Sequence, residues 1–257
     1  QGRLELVRRA VDPALADPRP AAVAVARELA GRGDVFAVIG HHRPEEAIPA
    51  SITYEQHGLI FLNPTVTRRT LNEHAFLGVF STIPNDGVIA RQVAAFAFGL
   101  GYRRFVVLRS REDFAHEAAV AFADRVARLG TTIVGERSFT PGRASFHEIV
   151  ADLGALRFDA VLVAAGRAQT AGLIRQSRGV QLEAPFLVAG LADAAALARE
   201  VGPATAPVAV PVLFNPESSA PETVGFRRGF EERYGRAPDA HAAQGYDAVR
   251  LLAAAIG

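Results

Sequence analysis

Few side chains in this chain have the type and spacing to do chemistry. His41 and His42 are adjacent, and neighbouring side chains diverge, so the pair does not present two ligands to one metal ion from the same face. His116-Glu117 falls in a helical stretch, but the second histidine of a zinc-hydrolase helix does not follow. Glu45 and Glu46 could act as acid and base, yet a first helical turn is also where carboxylates suit the positive end of a helix. Arg167 follows a strand and opens a helix, which suits an anion as well as it suits a solvated surface. Phe114, at the start of a helix after a strand and a loop, is either core or a platform for a ligand. Gly99-Leu100-Gly101 follows a helix rather than a strand and lacks the third glycine of a dinucleotide loop. There is no Gly-x-Ser-x-Gly elbow.

Composition narrows the choice further. The chain contains no Cys, which excludes disulfides, thiolate zinc sites and Cys nucleophiles. All 28 basic residues are Arg, so Schiff-base and P-loop lysine chemistry is excluded too. A net charge of +1 gives no footprint for nucleic acid or an anionic membrane surface. No apolar run is long enough to span a bilayer. No signal peptide is present, as expected of a mature or trimmed chain. With 257 residues there is room for two domains. No catalytic set, metal or cofactor emerges, and the pattern favours binding over catalysis.

The elements that must position any site alternate between strand and helix. Val35–Ile39 reads as a strand ending at Gly40. A helix follows from Pro44, with Ile48 and Ile52 on one face and Gly58 as its stop. Leu59–Asn63 is the next strand, ended by Asn63-Pro64. Arg43, Pro44, Thr65, Val66 and Thr67 thus lie beyond strand C-termini, the edge where open α/β sheets bind ligands. Ahead of this stretch the pattern predicts a strand over 3–9 and a helix over 21–30, and after it a strand over 75–80. Ser81 to Asp86 is a break, with Asn85 or Asp86 able to cap the next helix. Helices are then expected over 88–100, 113–129, 145–153, 168–177 and 192–201. Strands are expected over 104–108, 131–134, 160–164 and 185–188, and the composition shifts after 208–213. Two helices close the chain, over 221–234 and 240–256. This rhythm predicts βαβ units and parallel sheets.

Several segments, in order, carry a resemblance. They are Val38-Ile39-Gly40-His41, Pro49-Ala50-Ser51, Tyr54-Glu55, Gly58, Asn63-Pro64 and Thr67, then Ser81 to Asp86. Phe226, Phe230, Tyr234-Gly235, Pro238 and Gly245-Tyr246-Asp247-Ala248 complete the set. Together the chain resembles the type I periplasmic binding proteins, and among them the branched-chain amino-acid (Leu/Ile/Val) group serving ABC importers. The resemblance implies an α/β fold of two Rossmann-like lobes with parallel sheets joined by a hinge, the Venus-flytrap arrangement. Lobe one would be 1–83 plus 213–257, and lobe two 84–212. The family's first strand and long helix have no counterpart here, and neither does its last segment.

The resemblance also implies a function: a non-enzymatic solute-binding protein without cofactor. It would be a monomer, periplasmic or lipid-anchored outside the cytoplasmic membrane, with a signal peptide upstream of Gln1. It would close on a small molecule and be read by a membrane ABC permease, with no nucleic-acid partner. A sensory receptor domain and a non-binding scaffold on the same fold remain alternatives. Residue by residue, Thr65 and Thr67 match positions that hold an amino-acid carboxylate. Pro44 falls where a Ser is usual, and Phe114 matches a Tyr that covers the ligand. Gly166 replaces a second aromatic, His241 falls at another aromatic, and Gly190 falls at the acidic residue that pairs with the ligand's ammonium. Asp193 is the nearest carboxylate to that position. A buried ammonium without its partner costs several kcal/mol, so an amine-free, carboxylate-bearing ligand is expected.

Overall fold

The computed structural model describes residues 5–179, 182, 184–202 and 207–256. Two compact units are formed, Gln1–Pro84 with Phe214–Gly257, and Asn85–Leu213. Each is an α/β layer structure with an all-parallel sheet.

The first unit has a three-stranded sheet in the order β1 (Ala37–Ile39), β2 (Ile60–Asn63), β3 (Val79–Ser81). Helices α1 (Arg19–Ala30) and α2 (Pro44–Gln56) lie on one face. They meet through small residues, Ala26 with Ala47 and Ala50, which bring the backbones close around Tyr54, Phe61 and Val79. The buried face of α2 carries Ala47, Ala50, Ser51 and Tyr54, with Ile48 partly buried against the same core and Ile52 41% exposed. The helix runs unbroken through Pro49, and Gly58 then takes φ +68° to turn the chain into β2.

Two expected strands change here. Residues 5–10 have no regular structure, and residues 3 and 4 of that expected strand lie outside the described residues. The strand expected over 75–80 starts only at Val79. The reason lies in α2 as well as in the turn itself. Ala75 sits at φ +52°, and the Glu55 carboxylate takes the N–H groups of Leu77 and Gly78, both at 2.9 Å. Those donors are then lost to a ladder.

The unit is completed by α8 (Pro221–Tyr234) and α9 (Ala240–Ile256). Gly235 closes α8 in the left-handed region at φ +65°, and its N–H donates to Glu231 O. Phe214, Phe226, Phe230 and Tyr234 form a ladder of ring contacts, with Tyr246 of α9 against Phe226.

The second unit orders its strands β5-β4-β6-β7-β8. They are β4 (Arg104–Ser110), β5 (Thr132–Phe139), β6 (Ala160–Ala164), β7 (Phe186–Val188) and β8 (Val208–Ala209). Alternation assigns the two faces. Phe105, Val107 and Leu162 face α3 (Asp86–Gly99) and α4 (Asp113–Arg128). Val106, Leu108, Val161 and Val163 face α5 (His147–Leu153), α6 (Arg167–Gly179) and α7 (Ala194–Val201). The expected cap of α3 is in place: Asn85 Oδ1 accepts from Val88 N at 2.9 Å.

Strand β5 is longer than its apolar core suggests. As an edge strand it carries Glu136 and Arg137 outward, and Arg109 on the neighbouring strand pairs with Glu136 at 2.8 Å. Strand β8 is only two residues long, and Pro211 just beyond it lacks the N–H that would extend it.

Candidate functional site

In the first unit β1 and β2 are adjacent and parallel, with Ile39 opposite Leu62. The loops leaving their C-terminal ends are therefore neighbours, and one buried side chain ties them together. Asn63 Nδ2 donates to the carbonyls of Gly40 (2.6 Å) and His41 (2.9 Å). Its Oδ1 accepts from Thr65 N (3.1 Å) and Val66 N (2.6 Å). Thr65 adds its hydroxyl, which reaches the carbonyls of His41 and His42, both at 3.2 Å. The amides of Thr65 and Val66 and the hydroxyl proton of Thr65 are thereby committed inside the protein. Thr67 differs. Neither its N–H nor its hydroxyl bonds another described residue, so this residue offers two open donors at the lip.

The opposite side of this rim is the start of α2, where Pro44 takes the first helical position and needs no N–H partner. Arg43, just before it, turns back onto Glu46, with Nε 2.6 Å and the terminal nitrogen 2.5 Å from Oε1. Glu46 is buried and its charge is met there, while Glu45 is exposed. The two carboxylates thus have separate surroundings rather than one shared reaction centre.

His41 is largely enclosed beneath the lip, its side chain 9% exposed. Its Nε2 is 3.0 Å from the Tyr54 hydroxyl and its Nδ1 is 4.0 Å from Glu46 Oε2. Burial holds the imidazole below its ordinary pKa, with Glu46 opposing, and burial raises the Tyr54 phenol. His42 is exposed, and the ring of His241 near the start of α9 lies 5.1 Å from it, which brings His241 to this rim. No group of three or more His, Asp or Glu among the described residues is placed to hold a metal ion.

In the second unit the strand order reverses between β4 and β6, so the loops after these strands diverge and leave a crevice at the sheet's C-terminal edge. Phe114, in the first turn of α4 after β4, is half-buried against the core. Gly166 precedes α6 after β6, and Gly190 follows β7 with open space where a side chain would start. The Arg167 guanidinium is paired with Glu200 of α7. Asp193 accepts from Ala196 N at 2.9 Å and caps α7.

Two polar residues at these edges escape a reading of the sequence. Asn63 reads there only as a strand terminator. Gln169 lies one helical turn after Gly166, and its Oε1 is 3.5 Å from where a Gly166 Cβ would be. A carboxamide beside a residue lacking a side chain was the available signal for it.

The sequence profile of the family described as periplasmic binding protein matches residues 16–257. This chain belongs to the periplasmic binding protein family. Its two α/β units with parallel sheets are the two-lobed fold of that family.

Among solved structures, an ABC transporter substrate-binding protein from Desulfitobacterium hafniense superposes with a TM-score of 0.85 at 29% identity, covering 97% of this chain and 71% of that one. A Leu complex from the same organism gives 0.83 at 28%, covering 98% and 72%. An amino acid binding protein of Pseudomonas aeruginosa is 28% identical over 137 residues, 52% of this chain and 36% of its own length. Matches to the curated relatives span 36–40% of those proteins' own length.

Proposed function

We propose that this chain is the solute-binding component of an ABC importer. It works outside the cytoplasmic membrane, without catalysis, and delivers a small ligand to a membrane permease. The reading is supported by membership of the family and by neighbours at 28–29% identity described as ABC transporter substrate-binding proteins. The ligand is taken up at a C-terminal strand edge, and its binding shifts the protein's conformational equilibrium toward the form the permease reads.

The observation that carries the reading is the lip at Thr67. A frame braced by Asn63 and Thr65 presents one residue with two uncommitted donors, suited to a carboxylate. Carboxylate partners for an amine are wanting where the resemblance would put one. Gly190 has no side chain, and Asp193 is an exposed residue whose Oδ1 caps α7. A buried ammonium would lack its counter-charge at several kcal/mol of cost. The ligand is therefore carboxylate-bearing and amine-free, although one neighbour is a complex with Leu.

A thermal-shift and calorimetric screen of organic acids against amino acids tests this. A ligand at 100 times its Kd should stabilise the protein by about 2.7 kcal/mol. Tight binding of leucine or valine, with none of the acids, would overturn the amine-free assignment.

A further inference from the structure

We infer that His42 and His241 form a site for a zinc-like divalent cation, held between one imidazole from the loop after β1 and one from the start of α9. The site lies wholly within the first unit and stands whatever solute the protein carries.

The pair is brought together by the fold. Most of the chain separates the two residues, yet their ring centres lie 5.1 Å apart. Each ring stands on a braced backbone. The His42 carbonyl accepts the Thr65 hydroxyl at 3.2 Å, and Asp239 caps the first turn of α9, its Oδ1 accepting from Ala242 N at 2.8 Å.

The spacing is that of a shared ion. Tetrahedral zinc binds imidazole nitrogen at about 2.0–2.1 Å, which holds two ring centres about 5.2 Å apart. Attraction between the rings accounts for the pair less well. Aromatic pairs favour offset stacks or edge-to-face contacts, and these two rings are tilted at 55°.

The nitrogens are also available. Both residues are exposed, and neither side chain hydrogen-bonds or ion-pairs with another described residue. Other histidines differ. His41 is held by Tyr54 and faces Glu46, and His57 Nδ1 lies 2.8 Å from Thr53 O. The His42 and His241 rings are thus free to turn toward one ion.

Chemistry narrows the cation. Imidazole suits zinc, copper and nickel, whereas magnesium and calcium take oxygen ligands. No third His, Asp or Glu joins the pair among the described residues. The remaining positions on the metal are left to water or to a free carboxylate, as in an open zinc site. A bound ion ties α9 to the loop between β1 and α2.

The test is calorimetric titration of zinc chloride into the intact, tag-free protein after dialysis against a chelator, with magnesium chloride as the negative probe. His42→Gln and His241→Gln each remove one imidazole, and His116→Gln removes an exposed one from the second unit. Circular dichroism melting without metal confirms that each variant is folded.

The wild type should take up one zinc ion per chain, melt at a higher temperature with it and ignore magnesium. His42→Gln and His241→Gln should each weaken zinc at least about 10-fold, since losing a ligand costs no less than losing the partner that orients one. The double variant should lose little more, because a lone imidazole does not chelate, and His116→Gln should bind as the wild type does. No saturable zinc uptake by the wild type, full affinity in either single variant, an equal loss in His116→Gln, or equal uptake of magnesium overturns the shared site.

Discussion

Asn63 Oδ1 accepts the amide hydrogen of Val66 at 2.6 Å, so the residue that ends β2 also shapes the lip beyond it. The same carboxamide donates to Gly40 and His41 on the neighbouring loop. A single buried side chain thus sets the distance between two loops that come from different strands. Truncation in Asn63→Ala takes the partner from the Gly40 carbonyl and from the amides of Thr65 and Val66, and leaves the His41 carbonyl only the Thr65 hydroxyl. The expected loss is about 2 to 4 kcal/mol of stability in urea denaturation, together with weakened ligand binding. Asn63→Asp keeps the acceptor but turns a carboxylate toward two carbonyl oxygens, and should fare no better than alanine. Wild-type stability in both variants would show that the frame does not depend on this residue.

Thr65 and Thr67 look alike in sequence and differ in what they hold. Thr65 supports the rim through the His41 and His42 carbonyls, so Thr65→Val should cost about 1 kcal/mol of stability. Thr67 bonds no other described residue, so Thr67→Val should leave stability within about 0.5 kcal/mol. Its cost falls on binding instead, with carboxylate affinity down about 10- to 100-fold, the worth of one hydrogen bond to a charged group. Calorimetry on the ligand found by screening, paired with denaturation of each variant, separates the two roles. A reversed pattern would show that Thr67 does not face the ligand.

The strand–helix rhythm was legible because burial writes itself into residue type. Strands β4 and β6 are apolar on both faces and read as strands without ambiguity. Ends that depend on a distant partner were not legible. Strand β3 starts late because Glu55, more than twenty residues earlier, takes the amides of Leu77 and Gly78. The buried face of α2 is set by alanines that allow α1 to approach, which the spacing of its isoleucines does not reveal. At the site, Thr65 and Thr67 could be placed by position after a strand, but which of them is uncommitted is a fact of hydrogen bonding. Arg43 could be placed at the rim and Arg167 at a helix start, but that each is paired, with Glu46 and Glu200, is a fact of the fold.

The close approach of β3 to the turn before β2 gives a third prediction. A Cβ on Gly78 would stand 2.9 Å from Leu59 O and 3.3 Å from a Glu55 carboxylate oxygen. The nearer atom belongs to the backbone and cannot swing away. Gly78→Ala should therefore cost about 1 to 3 kcal/mol, the range seen for overpacked sites. Gly33→Ala is the control, since nothing lies within 4 Å of its Cβ position, and it should change stability by no more than about 0.5 kcal/mol. Equal melting temperatures for the two variants would sink the claim that β3 is held this closely.

The buried histidine makes stability depend on pH in a predictable direction. His41 is faced by the Tyr54 hydroxyl at 3.0 Å, the Glu46 carboxylate at 4.0 Å and the ring of Phe61. Burial lowers its folded-state pKa below the ordinary 6.5, and Glu46 offsets only part of this. The unfolded chain therefore binds the proton more readily than the folded one between 6.5 and that lower value. The contribution is complete above pH 6.5 and is lost as pH falls through this window. The measurement is the difference in unfolding free energy between wild type and His41→Gln, taken at intervals from pH 7.5 to about pH 5, which cancels the other histidines. That difference should move against the wild type by up to about 1.4 kcal/mol per pH unit below 6.5. Tyr54 acts at the other end: its phenol is raised above 10.0, so stability holds below pH 10 and falls as pH rises past it, a loss that Tyr54→Phe should abolish. Parallel pH profiles for wild type and His41→Gln would mean that the imidazole takes up its proton as easily beneath the lip as in the unfolded chain.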